Sequence, residues 1–235
     1  MKITISHLYP QLLNMYSDNG NILALRYRME QRGIETEVVT YGIDDTIDFE
    51  NTDILYLGGG TDREQQLVCE KLCTFRNDII SYAENGGCLL AVCGGFEMLG
   101  KNCSGTDGIG LIDIYTEYDS NRFIGDVLIQ SDLIDDTLAG FENHSGRIHT
   151  GDYTPLGTVV HGNGNNGIDG KEGIVYKNVI GTYLHGPILP KNPKLTDYVI
   201  KRALDTKYGE DVQLSPLDDT LENMAREYIV NRYSK

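Results

Sequence analysis

A cysteine that ends an apolar run and is followed by small residues is placed to act as a nucleophile. Cys93 closes Cys88–Val92 and leads into Gly94-Gly95 and the short helical pattern FEMLG. A thiol on such a strand-to-helix turn stands at the carboxyl edge of a sheet, beside the positive helix terminus that favours the thiolate. The glycine after it allows the tight turn and lets a backbone N–H face a developing oxyanion. A buried core cysteine beside a helix-packing glycine pair would have the same local sequence, so both readings stay open at this point. A second run, Gly58-Gly59-Gly60, ends the preceding apolar stretch. If the two strands are neighbours, as consecutive strands usually are, the N–H near Gly59 joins that of Gly94 in an oxyanion hole. A plain tight turn is the competing reading, and neither GxxxxGK[ST] nor GxGxxG is present to support a nucleotide site.

Such a nucleophile needs a base within hydrogen-bond reach. The candidates are His7, His144, His149, His161 and His185. His185 follows VIGTYL and precedes Gly186-Pro187, which puts it at a strand end facing the ligand-binding edge of a parallel sheet. His161 falls in a glycine-rich loop and is expected to be solvated, and His144 and His149 lie in turn-rich sequence. Arg122 opens the strand-like FIGDV, where a guanidinium could make a planar two-point contact with a carboxylate.

The elements that would position these residues alternate as βα units. Strands are expected at Lys2–Ser6, Thr36–Tyr41, Asp53–Leu57 and Cys88–Val92. Ile22, Leu25 and Met29 recur at helical spacing ahead of Gly33, and Asp62 could cap a long helical region, perhaps in two pieces, that reaches Ala83. Beyond the nucleophile the texture changes. Strand-like runs at Gly110–Tyr115, Phe123–Gln130 and Gly173–Tyr176 suggest an antiparallel extension, and HGNGNNGIDG reads as a loop. Val179–Leu184 resumes the sheet and Pro193–Lys207 forms a helix. A last helix, capped by Ser215 with Pro216 at its first position, runs to about Arg232.

Length and charge narrow the class. The 235 residues favour one domain over 1–235 with a sizeable core. Twenty Lys and Arg against 35 Asp and Glu leave a net charge of −15, which repels phosphate backbones and argues against nucleic acid as a partner. No long apolar run provides a membrane span, and the start lacks the apolar segment of a secretory signal, so a cytoplasmic location is expected. Five cysteines without a CxxC suggest reduced thiols, and no metal site is expected.

Taken together, these residues resemble the class I, cysteine-dependent glutamine amidotransferases, and more closely their cobyric acid synthase-like branch, through CGGFEMLG. The segments HLYPQLLNMYSDNGNILAL, LGGGTDREQ, RFIGD, FENHSGR and GTYLHGPILPKNP narrow the resemblance to the glutaminase subunits of lipid II isoglutaminyl synthases. The resemblance implies a flavodoxin-like α/β fold with a mostly parallel central sheet and an antiparallel extension. It implies Cys93 as nucleophile, His185 as base and Arg122 as the contact to L-glutamine, which is hydrolysed through a cysteinyl thioester to glutamate and ammonia. The ammonia would pass to a MurT-like ligase subunit that amidates the D-glutamate α-carboxylate of the lipid II stem peptide. ATP would be used only by that partner, with no cofactor on this chain and no direct membrane insertion.

Two positions depart from the wider pattern. Glu97 stands where the branch often has Gln, which leaves a glutamine contact there open. Pro187 stands where the commoner triad has Glu, two residues after its histidine. The chain is therefore expected to lack its own third triad member, and a partner residue to supply it. A glutaminase subunit for another synthetase, of the cobyrinate type for example, would keep Cys93 and His185. So would a cysteine peptidase or γ-glutamyl hydrolase of similar fold, whereas a binding module would give Cys93 no role.

Overall fold

The computed structural model describes residues 1–209 and 212–233. Its first half runs β1 (Lys2–Leu8), α1 (Asn19–Glu30), β2 (Glu35–Tyr41), β3 (Ile54–Leu57), α2 (Asp62–Cys73), α3 (Arg76–Glu84), β4 (Cys88–Val92) and α4 (Gly94–Met98). Two short strands, β5 (Asn102–Cys103) and β6 (Thr106–Asp107), lead to β7 (Tyr115–Ser131), β8 (Asp136–His149), β9 (Gly157–His161) and β10 (Lys171–Glu172). The chain closes with β11 (Ile174–Tyr176), β12 (Val179–Thr182), α5 (Ile188–Lys191), α6 (Pro193–Tyr208) and α7 (Thr220–Tyr233).

The central sheet has the order β11-β12-β4-β3-β1-β2, parallel throughout except for the edge pair β11·β12. Its middle strands β3 and β4 are buried at every position, as expected where helices cover both faces of a parallel sheet. The chain winds outward from β1 to β2 in one direction and from β3 to β4 in the other, so the topological switch point lies between β1 and β3. Ligands of open α/β sheets bind at the carboxyl ends of strands beside such a point. A second, antiparallel sheet of order β10-β9-β7-β8 leans on the first through a two-way backbone bridge, Phe141 N–H to His185 carbonyl at 3.2 Å and His185 N–H to Phe141 carbonyl at 2.7 Å.

Several local expectations need correction. Thr61, rather than Asp62, caps α2: its hydroxyl accepts the Glu64 N–H while the Glu64 carboxylate accepts the Thr61 N–H, a reciprocal capping box. The expected strand at Gly110–Tyr115 is irregular up to residue 114. The amides of Gly110 and Ile112 are spent on the Gly100 and Leu99 carbonyls just after α4. His144 and His149 lie on β8 rather than in turns, and His161 stacks on Tyr233 with ring centroids 3.7 Å apart instead of standing free in water. The final helix starts at Thr220, not at Ser215. The preceding Asp219 is drawn to the buried Arg28, and the Asp218 side chain accepts the Thr220 N–H at 3.1 Å. No helix among the described residues is long and apolar enough to cross a membrane, and all five cysteines are free thiols.

Candidate active site

Four parallel strands deliver four side chains or loops to one place. Asp18 follows β1, Gly58-Gly59-Gly60 follows β3, Cys93 follows β4 and His185 follows β12. Cys93 has φ 52 and ψ −113, a strained backbone for a side-chain-bearing residue on a tight strand-to-helix turn. Its N–H is anchored on the Thr182 carbonyl at 2.8 Å, and its own carbonyl accepts the Glu97 N–H at 3.1 Å as α4 begins. The turn works only because glycine follows. A Cβ on Gly95 would stand 2.5 Å from the Leu57 carbonyl oxygen, and one on Gly94 2.2 Å from Gln65 Nε2.

His185 is fully buried beside Cys93. A Cβ on Gly59 would meet both, 3.0 Å from Cys93 Cβ and 3.1 Å from His185 Cε1. The imidazole is oriented from within the chain: its Nδ1 lies 3.2 Å from Asp18 Oδ1, itself completely buried. That contact corrects the expectation of a missing third member. Donation from Nδ1 to the carboxylate fixes the tautomer and leaves Nε2 for the thiol. Among the described residues that buried Nε2 has no hydrogen-bond partner. Burial alone would lower the pKa of His185. The opposing attraction of the Cys93 charge, followed by the bond to Asp18, outweighs it and holds the imidazole well above its usual value.

Asp18 has a second bond, accepting the Gly59 N–H at Oδ2 with a separation of 3.2 Å. This corrects the expectation that Gly59 offers a free oxyanion donor. The amides of Gly60 and Gly94 have no protein acceptor among the described residues, and Gly60 lines the cavity together with Cys93. Gln65 ties the two glycine turns together by donating to the Gly60 carbonyl at 2.8 Å.

The cavity measures about 290 Å³ and opens over Cys93, at the small end of ligand pockets. Arg122 on β7 lines it, braced by donating to the Asn143 side chain at 2.9 Å and to its carbonyl at 3.0 Å. Tyr16 closes the side nearest His185, 5.2 Å away edge-on, and takes a hydrogen bond from the Asn143 amide. Glu97 forms part of the lining one helical turn beyond Cys93. Its two oxygens accept from Tyr183 Oη and Tyr118 Oη, each at 2.8 Å. Burial raises its pKa despite those bonds. The cavity thus carries a cation and a buried acid at separate points around the Cys93 thiol.

Of the other histidines, His144 also lines this cavity. Its ring is stacked on Tyr183 with centroids 3.5 Å apart, and its Nδ1–H donates to the Gly146 carbonyl at 2.7 Å. Burial lowers its pKa, which favours a neutral ring. His7 is pushed down to about 4 by burial within β1, and His149 stacks on Tyr115 away from the cavity.

Sequence reasoning missed Asp18. It sits in the turn-rich SDNGN after the first strand, at the sheet edge where ligands bind, and an acid in that first βα loop was the available signal. Pro187 packs beside that loop. Its ring packs on Gly20, where a Cβ would fall 2.4 Å from Pro187 Cγ, and this contact docks the start of α1 against the His185 segment.

A family model for the CobB/CobQ-like glutamine amidotransferase domain matches residues 4–193. Two curated relatives are each 43% identical and are both named as the GatD subunit of lipid II isoglutaminyl synthase (glutamine-hydrolysing). The Staphylococcus aureus protein aligns over 100% of this chain and 97% of its own length, and the Streptococcus pneumoniae protein over 97% and 90%. A solved glutamine amidotransferase superposes with a TM-score of 0.56 at 16% identity, covering 84% of this chain and 98% of that one.

Proposed function

Because the chain belongs to the CobB/CobQ-like glutamine amidotransferase family, we propose that it is the glutamine-hydrolysing subunit of a lipid II isoglutaminyl synthase. The observation that carries this reading is the Cys93–His185–Asp18 line set beneath a cavity bearing Arg122 and Glu97. Free glutamine presents an α-carboxylate, an α-ammonium and a side-chain amide. In this reading Arg122 holds the carboxylate, Glu97 the ammonium, and the amide carbon lies over Cys93.

The Cys93 thiolate attacks that carbon, and the carbonyl oxygen becomes an oxyanion facing the free amides of Gly94 and Gly60. Each such donor is typically worth about 3–4 kcal/mol in the transition state. His185 gives its Nε2 proton to the departing nitrogen, ammonia leaves, and a γ-glutamyl thioester remains. Water then attacks the thioester as His185 takes its proton, releasing glutamate and restoring the thiol. Asp18 keeps Nδ1 as the donor throughout and stabilises the imidazolium. The ammonia passes to a MurT-like ligase subunit, which uses ATP to amidate the D-glutamate α-carboxylate of the lipid II stem peptide. The names of the two curated relatives support that assignment, since each is called a subunit of such a synthase.

Ammonia release from glutamine, measured for the purified chain with and without a MurT-like ligase, tests the reading. Hydrolysis that requires Cys93, and amidation of lipid II only when both subunits are present, is the expected result. A Cys93→Ala variant with unchanged hydrolysis, or a complete mixture that amidates no lipid II, would overturn it.

A further inference from the structure

Strand β10 is two residues long, yet it carries Glu172, a carboxyl group with no solvent exposure. Burying such a group is costly unless its bonds compensate, and here every bond goes to the turn that presents His185. Glu172 Oε1 accepts the Tyr183 N–H at 2.7 Å, and Thr182 Oγ1 lies 3.0 Å from both carboxyl oxygens. The same hydroxyl accepts the Leu184 N–H at 3.0 Å. The Thr182 carbonyl, in turn, accepts the N–H of Cys93 at 2.8 Å. Thr182 therefore links both halves of the pair: its carbonyl holds the strained Cys93, and its hydroxyl, together with Glu172, holds the Tyr183 and Leu184 amides of the turn that ends at His185. The support comes from the second sheet, which also holds the backbone of His185 through Phe141.

We propose that Glu172 and Thr182 are positioning residues that set the distance and orientation between Cys93 and His185. Their role in turnover rests on the glutaminase reading, whereas their role in tuning the Cys93–His185 pair does not. The charged groups that face Glu172 are Glu142 on β8, which repels its carboxylate, and His185, which attracts it. Asn163 and Gly164 hold Glu142 in place through N–H bonds of 2.9 and 3.1 Å. Burial is the main reason that Glu172 is pushed up to about 8, so at neutral pH it is largely protonated and able to donate as well as accept.

The test reads Cys93 alkylation by iodoacetamide, quantified at that residue by mass spectrometry across pH in the full chain, beside kcat and KM for glutamine. Thr182→Val removes the hydroxyl at nearly constant volume, and Thr182→Ser restores it. The expected result for Thr182→Val is a fall in kcat of about tenfold or more with KM within about threefold, together with a displaced alkylation profile. Thr182→Ser should stay close to the parent on both. A Thr182→Val variant with the parent's profile and kcat would overturn the proposal, as would a Thr182→Ser variant that fails equally. Glu172→Gln keeps an acceptor for Tyr183 and a group able to bond Thr182, and it decides the matter if Thr182→Val does not fold. Removing the titrating carboxyl should shift the alkaline part of the alkylation profile, and a profile superimposable on the parent's would sink the idea. A shifted alkylation profile without any glutamine hydrolysis in the parent protein would instead uphold the positioning role and refute the glutaminase reading.

Discussion

Asp18 and His185 stand 167 residues apart in the chain and 3.2 Å apart in space. The acid arrives on the loop after the first strand of the sheet and the histidine after its last parallel strand. The same carboxylate also takes the Gly59 N–H, so the imidazole and the glycine turn share one support. A partner subunit is therefore not needed to orient the imidazole.

Replacement of Asp18 by Asn should keep the shape while losing the charge that holds the imidazolium. We expect kcat for glutamine hydrolysis to fall by up to roughly 10⁴-fold, the size of the loss when a Ser-His-Asp triad has its Asp changed to Asn, with KM little altered. Steady-state kinetics on Asp18→Asn decides this, and activity near that of the parent would refute the in-chain triad.

Recognition of the amino-acid head group should separate from chemistry. Arg122→Ala and Glu97→Ala are each expected to raise KM for glutamine by about 10–100-fold, as for the loss of one charge-assisted bond. In the proposed reading Glu97 takes the ammonium as a carboxylate, and burial raises its pKa. KM should therefore climb as pH falls through that raised pKa, and the climb should vanish in Glu97→Ala. A pH series of initial rates tests both statements.

Two glycines should fail in different ways. A Cβ at Gly95 meets the Leu57 carbonyl at 2.5 Å, inside rigid backbone. Gly95→Ala should therefore cost on the order of 1–3 kcal/mol of stability, as overpacking does. At Gly59 the intruding Cβ would sit 3.0 Å from Cys93 Cβ. Gly59→Ala should leave most of the stability but separate the thiol from the imidazole, lowering kcat by at least about tenfold. Thermal melts beside kinetics distinguish the two outcomes.

Stability should carry the imprint of Glu172. Its carboxyl is pushed up to about 8, mainly by burial, against about 4.3 in an unfolded chain. The folded state therefore binds more protons between those values, and stability falls as pH rises across that window. Glu172→Gln should flatten the decline. Urea denaturation at pH 5 and pH 8 measures it, and equal slopes in parent and variant would count against a buried neutral acid.

The parts of the molecule legible in its sequence are those decided locally. Cys88–Val92 is a strand because five apolar residues in a row suit a strand buried on both faces, and the turn after it must carry glycines whatever the rest does. Arg122 could be picked out by residue type, although only the pairing of β7 with β8 brings its Asn143 brace alongside. Strand β8, DTLAGFENHSGRIH, escaped notice since its glycines and polar side chains mask the alternation. It becomes a strand by pairing with β7 along most of its length. Glu172 acts through contacts that only the folded sheets create, and Asp18, although it sits in the first βα loop, meets His185 only once the sheet has formed. Helix α7 was misplaced at its start for a similar reason. Ser215-Pro216 is a sound helix opening in isolation, but Asp219 is claimed by Arg28 from α1.

The contact between Gly20 and Pro187 sets the terms on which this site can vary over evolutionary time. Pro187 stands two residues after the histidine, where the commoner triad carries its acid, and its ring fits only because residue 20 lacks a side chain. Residues 18, 20 and 187 should therefore change as a trio. A descendant that acquires an acid at 187 in reach of the histidine no longer needs Asp18 and is released from glycine at 20, while a loss of Asp18 or of Gly20 made alone leaves the imidazole without its support or the helix without its seat.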